Sequence, residues 1–436
     1  MPSLQSGPMI NALPPALVTG IGAVLPSGLG LDAAWDCWQT GQSRLGAFSS
    51  DWIDSRRIAG YGAVPQEARH ASRDAVPHKL RRFGTEPSYW AVQAAGQAMA
   101  ASGIEWDALP ETRRGLFTGQ GDYTSPSIMS LQRALTASDQ GEGVDLSSLT
   151  SEALYRRGAD PFMSIKGLAN NALALISLTH RFRGPGAAFV QNESAGIGAL
   201  QQALLALHTG LCDAALVAVC GSYMEPFTLA ELWRRGLLLE DGERGLRSFD
   251  RQAAGTVLAE GAVALLLERP GCARARGVEG GVLIHAPGGF AAPRNCLEDL
   301  AGSGFEEGYR QALGRLGGTL ANAQELAVVA DGRGIPVLDG LECRQLAAAL
   351  PDGVPITSPR PLFGTIPAAG ALLDVALATR ILADGRLPPV SGLTGPLAPQ
   401  LDWVAGAPRQ VDCGQVLCLQ QGFSGFHSAV LVTRHA

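Results

Sequence analysis

Short apolar runs alternate with alanine-rich and amphipathic stretches along most of the chain. Strands are predicted at 16–22, 114–119, 187–190, 214–221, 262–268, 326–330, 416–420 and 429–433. Helices are predicted at 31–41, 87–102, 128–136, 168–180 and 368–383. The run at 214–221 is continuously apolar, as expected of a strand that is covered on both faces. Strands that alternate with helices indicate an α/β fold with crossover connections.

One of these units carries an unexpected residue. Residues 187–200 have the pattern of a strand, a tight turn and an apolar helix. This layout presents one side chain at a helix N-terminus, where backbone N–H groups and the helix dipole stabilise a thiolate or an oxyanion. The presented residue is Glu193. Because a carboxylate is a weak acyl acceptor, we expect acyl-transfer chemistry to be absent from this position.

Length and composition narrow the class of protein. With 436 residues the chain exceeds one ordinary core, so two domains or one duplicated domain are expected. Its hydrophobic content of 46% and charged content of 17% fit large buried sheets and helices. The net charge of −6 argues against a nucleic-acid-binding surface.

Cysteine spacing and hydropathy exclude further classes. The eight cysteines are scattered singly and form no CxxC pair, so no metal site and no disulfide framework are predicted. The first 13 residues lack the pattern of a secretion signal. No uncharged apolar run approaches the ~18 residues of a membrane span. A cytoplasmic protein is therefore expected.

Four segments, in this order along the chain, resemble motifs of the β-ketoacyl synthase family. They are the opening strand at Val18–Pro26, the signature at Arg247–Arg251 with Val257–Ala262, the motif end Pro367–Gly370, and the glycine–phenylalanine loop Gly422–His427. The resemblance spans nearly the whole chain. It implies a thiolase fold, a duplicated five-layer αβαβα architecture that assembles as dimers. The implied halves are residues 1–258 and 259–436.

The same resemblance assigns the catalytic positions. In this family a cysteine accepts the acyl chain, and two histidines polarise the malonyl carbonyl and stabilise the enolate. A lysine upstream of the second histidine completes the set. Glu193 stands at the position of the cysteine and Asp331 at that of the first histidine. Pro359 stands at the position of the lysine and Gly364 at that of the second histidine. Since all four differ from the family, no catalytic residue and no cofactor are expected, and the chain is not expected to be catalytic alone.

This loss is typical of one group within the family, the chain-length factors, or ketosynthase β subunits. The resemblance implies a heterodimer with an active ketosynthase α subunit, whose acyl tunnel this chain helps to shape, and contact with acyl carrier protein. Polyketide, polyene and fatty-acid-like pathways are all compatible. Candidate tunnel or interface residues are Tyr123, Ile128 and Leu131, and candidate pocket-loop residues are Phe423, His427 and Arg333.

Several interpretations of Glu193 stay open. It could accept N–H groups of the helix that it precedes, or share a proton with Asp331 as a general base. Alternatively, Arg333 could pair with Asp331 or with Glu193 in a vestigial pocket. The neighbouring Ser194 is a conceivable nucleophile, but a serine in a first helical turn is more often a cap.

Two other functions compete with the chain-length factor. One is a divergent decarboxylase or hydrolase of carrier-bound acyl chains that uses Glu193 and Asp331. Many chain-length factors and decarboxylating ketosynthase-like domains carry glutamine at the cysteine position, and an ionised glutamate cannot donate the hydrogen bond that glutamine can. The other function is a homodimeric scaffold that only docks carrier protein.

Overall fold

The computed structural model describes residues 13–49, 53–54, 57–121, 131–156, 158–240, 245–291, 303–314, 325–423 and 425–435. The candidate tunnel residues Tyr123 and Ile128 lie outside these ranges. The third candidate, Leu131, lies at the start of a helix and is partly buried.

The described residues form helices and strands in alternation. The strands are β1 (Ala16–Leu25), β2 (Gly28–Leu29), β3 (Tyr61–Gly62), β4 (Arg114–Gln120), β5 (Gly186–Val190), β6 (Ala214–Ser222), β7 (Leu258–Glu268), β8 (Gly281–Ile284), β9 (Gly288–Ala291), β10 (Leu326–Val329), β11 (Pro355–Thr357), β12 (Arg386–Leu387), β13 (Asp402–Trp403), β14 (Arg409–Gln410), β15 (Gln415–Gln421) and β16 (Phe426–His435). The helices are α1 (Leu31–Thr40), α2 (Gln66–Ala75), α3 (His78–Arg81), α4 (Glu86–Ala101), α5 (Gln132–Ser138), α6 (Leu146–Leu154), α7 (Met163–Lys166), α8 (Asn171–His180), α9 (Ala195–His208), α10 (Pro226–Arg234), α11 (Pro270–Ala275), α12 (Ser303–Gly314), α13 (Pro336–Ala349), α14 (Arg360–Phe363) and α15 (Gly370–Asp384).

Two sets of five strands repeat the same order. The first set runs β5-β4-β6-β7-β1, and the second runs β11-β10-β15-β16-β8. In each set the first three strands of that order are parallel and the remaining pairs are antiparallel. The two sets join where β1 pairs with β8. This repeat confirms the predicted duplication, which no similarity between the two halves of the sequence reveals.

Helices separate and cover the two strand sets. Helices α4 and α8 cover the outer side of the first set, and α12 and α13 cover the outer side of the second. Helices α9 and α15 lie between the sets and share one apolar core with both. These are five layers, as the thiolase fold predicts. The expected boundary between residues 258 and 259 falls at the first residue of β7 and stays a prediction.

The middle layer explains one sequence pattern. Helix α15 is buried along almost its whole length, because strands or helices pack on every side of it. Small and aliphatic residues therefore dominate it, and Asp374 is its buried carboxylate. A charge in such an environment requires a partner.

Several elements were not predicted or have other bounds than predicted, and in two of them a buried charge accounts for the difference. Strand β7 begins four residues before the predicted 262, because the buried Glu260 is neutralised by Arg69 and accepts a hydrogen bond from Ser222 at 2.7 Å. Helix α13 was not predicted. It buries Asp339 and Glu342 within its core-facing side, which hides the apolar periodicity.

The first strand set ends in an edge strand, β5. Strand β5 pairs with β4 on one side and is the last strand of the order, and its residues Ala187 to Val190 are partly exposed. An apolar edge of this kind is a template for pairing with another chain. Among the described residues, no helix is long and apolar enough to cross a bilayer.

Candidate functional site

The candidate residues meet where parallel strands of both sets end. Glu193 follows β5 and Tyr223 follows β6, while Asp331 follows β10 and Phe423 follows β15. In α/β proteins this carboxyl edge is where functional side chains collect. The structure therefore joins residues from the two halves of the chain in one buried cluster.

Glu193 lies in a tight 3₁₀ turn between β5 and α9. Asn192 begins the turn with a φ of 48°, a left-handed conformation that asparagine adopts more readily than most residues. The Glu193 side chain is 2% exposed, and its Oε1 accepts the Tyr223 hydroxyl at 2.8 Å and the Phe423 N–H at 3.5 Å.

The helix-cap interpretations of this turn are wrong. No side chain caps the N-terminus of α9. Glu193 accepts from the two distant donors instead of from the helix. The hydroxyl of Ser194 donates to the carbonyl of Gln191 at 2.9 Å, so it neither caps the helix nor faces a general base.

Arg333 holds the two carboxylates of the cluster apart. Its Nε donates to Asp331 Oδ2 at 2.7 Å, and its Nη1 lies 3.6 Å from Glu193 Oε1. Its Nη2 donates to the carbonyl of Gln421, and its guanidinium carbon lies 4.5 Å from the centre of the Phe423 ring. Both expected pairs of Arg333 are therefore present at once. A guanidinium between Glu193 and Asp331 opposes the sharing of a proton between them.

Glycines shape the loop that carries Arg333. Gly332 has a φ of 58° and Gly334 a φ of 75°. A Cβ atom at Gly332 would lie 2.4 Å from the Phe249 ring, and one at Gly334 would lie 2.4 Å from Leu246 Cδ1. Any larger residue at either position would displace the loop, and with it the guanidinium.

Two carboxylates of α13 hold the same loop by its backbone. Asp339 accepts the N–H of Gly334 at 3.1 Å, and Glu342 accepts the N–H groups of Asp331 and Gly332 at 2.9 and 3.1 Å. Tyr309 donates its hydroxyl to Glu342 at 2.9 Å. The loop is thus fixed independently of Glu193.

A second buried arginine enters from α14. Arg360 donates through Nε to Asp331 Oδ1 at 3.0 Å and through Nη1 to Asp374 Oδ1 at 2.9 Å. Pro359, at the predicted lysine position, precedes this helix, so the residue that brings a cation to Asp331 is its neighbour. Gly364 ends the helix with a φ of 72°, and a Cβ there would lie 2.8 Å from the carbonyl oxygen of Val257. No side chain fits at that predicted histidine position.

The charges of the cluster follow from these contacts. Burial opposes ionisation of Asp331, but attraction from Arg333 and Arg360 outweighs it and holds the pKa of Asp331 below its usual value. Burial likewise opposes the charge of Arg333, and Asp331 and Glu193 nevertheless raise its pKa. Burial and the nearby charge of Asp331 raise the pKa of Glu342 to about 7. Asp331 is therefore an ionised partner of two arginines and is not a free base.

His427 contributes a buried, neutral ring. It is completely buried, and its ring centre lies 5.8 Å from that of Tyr309. Burial, with repulsion from Arg333, lowers the pKa of His427 to about 3. It is therefore not a proton donor at neutral pH. Another histidine, His285, lies within 3.0 Å of the Thr433 hydroxyl between strands and takes no part in these contacts.

Sequence reasoning missed six side chains in these contacts: Arg360, Asp374, Asp339, Glu342, Tyr309 and Tyr223. Arg360 and Asp374 carried a signal, because a charged residue within an apolar helix or beside a motif needs a partner. Glu342 carried a similar signal on α13. Tyr223 carried none, since only the fold brings the end of β6 to Glu193. Within the described ranges, no group of histidine, cysteine and acidic side chains is arranged to hold a metal ion.

The low pKa of His427 predicts a pH dependence of stability. Between about pH 6.5 and pH 3 the unfolded chain binds a proton at this histidine that the folded chain does not, so the contribution of His427 to the free energy of unfolding falls as the pH falls. Between pH 7 and pH 5 this contribution should fall by about 2 kcal/mol. The raised pKa of Glu342 acts in the opposite direction, but it is common to the parent and the variants. Urea unfolding should show that the free energy of unfolding of His427→Asn decreases less than that of the parent between pH 7 and pH 5, by about 2 kcal/mol. The exposed control His78→Asn should show the same decrease as the parent. Equal losses in all three proteins would contradict the assignment.

Comparison with known proteins agrees with the resemblance of the motifs. The family profile for the β-ketoacyl synthase N-terminal domain matches residues 14–271. The chain is 29% identical to the ketoacyl synthase β subunit of the tetracenomycin polyketide synthase of Streptomyces glaucescens, over 98% of this chain and the whole of that protein.

Solved structures share the fold. The ishigamide ketosynthase/chain length factor matches with a TM-score of 0.80 at 20% identity, over 97% of this chain and 99% of that one. A ketosynthase bound to the hexaketide, in complex with its type II polyketide synthase acyl carrier protein, matches with a TM-score of 0.73 at 17% identity, over 96% of this chain and 99% of that one. The profile match covers more than half of the chain, and the strand order and loop motifs agree with it. This chain belongs to the β-ketoacyl synthase family.

Proposed function

We propose that this chain is a chain-length factor, a non-condensing β subunit that pairs with an active ketosynthase α subunit. It helps to shape the tunnel that accommodates the growing acyl chain, which acyl carrier protein delivers. The pathway class is type II polyketide, polyene or fatty-acid-like biosynthesis, and the location is the cytoplasm. Tyr123, Ile128 and Leu131 are the proposed tunnel or interface residues.

The buried ion cluster carries this proposal. Condensation needs a nucleophile that accepts an acyl group and neutral donors that stabilise an enolate. At the corresponding positions the chain holds Glu193 and Asp331, both paired with Arg333. Because both carboxylates contact a guanidinium and are buried, neither is a free nucleophile for a thioester, yet the surrounding fold is kept. Retention of a fold without its chemistry favours a structural role.

The relatives support the choice of role and partner. The similar Streptomyces glaucescens protein is named as a ketoacyl synthase β subunit of a polyketide synthase. One similar structure is titled as a ketosynthase with a chain length factor, and another as a ketosynthase with its acyl carrier protein. These names give the partners that we propose for this chain.

The open edge of β5 supports the pairing. Helices α8 and α9 both contact β5, and they expose Leu178 and Leu205 to the extent of 63% and 40%. An unpaired apolar strand with exposed leucines on the adjacent helices is the kind of surface that a second subunit covers. Because Glu193 follows β5 directly, that subunit would lie close to the vestigial site.

The geometry disfavours the catalytic alternative. A decarboxylase or hydrolase would need Glu193 or Asp331 as a base within reach of substrate. Both are almost completely buried, and Arg333 contacts both. A homodimeric scaffold remains the other alternative, and the state of assembly separates it from the heterodimer.

Substitution of Glu193 in a reconstituted complex tests the proposed function. We expect the chain, co-expressed with a ketosynthase that keeps its cysteine and histidines, to form a one-to-one complex that extends malonyl groups on acyl carrier protein. Glu193→Gln keeps the shape of the side chain and removes its charge. The rate of elongation should then change by less than about twofold, because in the proposed function Glu193 makes no contact with reacting atoms.

The competing interpretations predict different results. A general base at Glu193 would lower the rate by about 10²–10⁴-fold on substitution. A chain that forms only homodimers, or that consumes malonyl or acyl carrier protein alone, would contradict the proposal. A ketosynthase with its cysteine replaced by alanine is the matched inactive control.

Leu178→Asp tests the proposed interface. Because Leu178 is exposed in the isolated chain, its replacement should change the free energy of unfolding by no more than about 0.5 kcal/mol. In the complex the buried charge should weaken association about tenfold or more. The matched control is Val337→Asp on α13, in the outer layer of the second half, where 38% of the residue is exposed. Equal affinities of the two variants, measured by titration, would exclude this surface from the interface.

A further inference from the structure

Three hydrogen-bond donors converge on a single carboxylate oxygen in the buried cluster. The Tyr223 hydroxyl, the Phe423 N–H and Arg333 Nη1 lie 2.8, 3.5 and 3.6 Å from Glu193 Oε1. They come from the residue after β6, from the loop between β15 and β16, and from the loop after β10. Three unrelated segments therefore point donors at the same place.

These donors keep their positions without help from Glu193. Arg333 is 1% exposed and is held by Asp331 and by the carbonyl of Gln421. Tyr223 is equally buried. The Phe423 N–H belongs to a loop whose flanking residues Gly422 and Phe426 are hydrogen bonded to each other at 2.6 Å. A preorganised donor set in a buried site binds a negatively charged oxygen strongly, because no reorganisation is needed.

The Glu193 side chain does not form hydrogen bonds with all three donors. Arg333 Nη1 and Glu193 Oε2 have no hydrogen-bond partner among the described residues. A guanidinium–carboxylate hydrogen bond normally measures about 2.7–2.9 Å, well below the 3.6 Å separation seen here. The Glu193 carboxylate is tethered to the backbone of the 3₁₀ turn. A free carboxylate of similar size has no such tether.

We propose that Tyr223, Phe423 and Arg333 form a binding site for one small carboxylate, and that in this chain the Glu193 side chain occupies it. Glu193 thus acts as a built-in blocker of an anion site. Removal of the side chain opens the site to a monocarboxylate such as formate or acetate. Arg333 also donates a hydrogen bond to Asp331 at 2.7 Å, so its charge is already partly compensated. The free ligand should therefore bind with millimolar affinity at best. This inference does not depend on the partner subunit.

Thermal unfolding of Glu193→Ala in the full chain, with sodium formate as the probe, tests the proposal. Formate is varied at constant ionic strength, with formamide as the neutral molecule of the same shape. We expect a saturable rise in Tm of about 1–2 °C with formate at concentrations well above its Kd, and none with formamide. A second variant, Glu193→Ser, provides the same test if Glu193→Ala does not fold.

Two controls separate a specific site from a general salt effect. The parent protein and Glu193→Gln, in which the site stays filled, should not respond to formate. Addition of Tyr223→Phe to Glu193→Ala removes one donor and should raise the formate concentration at half-saturation about fivefold. The proposal would be overturned if formate did not change the Tm of either Glu193→Ala or Glu193→Ser. An equal rise in all proteins, the parent included, would do the same.

Discussion

The site depends on the ion pairs that the guanidinium of Arg333 forms with two carboxylates. This guanidinium contacts Glu193 from the first half of the chain and Asp331 from the second, and all three are buried. A buried charge without a partner costs several kcal/mol, so the charge of Arg333 requires these carboxylates. Loss of Arg333 would remove the cation that Glu193 contacts, whereas Asp331 would keep Arg360. The Arg333 side chain therefore couples the two halves of the chain.

This coupling describes how the site is filled. The carboxyl edges of the parallel strands converge, and glycines shape the loop around Arg333. The convergent groups contact each other. Glu193 accepts from Tyr223 and Phe423, and Asp331 accepts from two arginines. The protein's own side chains therefore occupy the space in which these strand ends meet.

Sequence patterns predicted the fold better than the site. Continuous apolar runs such as that of β6 predicted an α/β fold, because burial leaves a local signature. The five-layer architecture was implied by the resemblance of the ordered motifs to the β-ketoacyl synthase family. The motifs also led to the prediction that Glu193 and Asp331 stand at the positions of reactive residues. They did not show that Arg360, and not Pro359, brings a cation to Asp331, since side-chain direction depends on the turn of α14. Tyr223 was missed because only tertiary structure joins β6 to the turn after β5.

A double-mutant cycle between Glu193→Gln and Arg333→Met tests the central claim most directly. Free energies of unfolding from urea titrations of the parent, both single variants and the double variant give the coupling between the two side chains. We predict that Arg333→Met costs about 3–5 kcal/mol and that the coupling is about 1–3 kcal/mol, since the pair is buried. The exposed pair Arg310 and Glu307 is the control, for which about 0–1 kcal/mol is expected. A coupling at Glu193 and Arg333 no larger than this control would contradict the account.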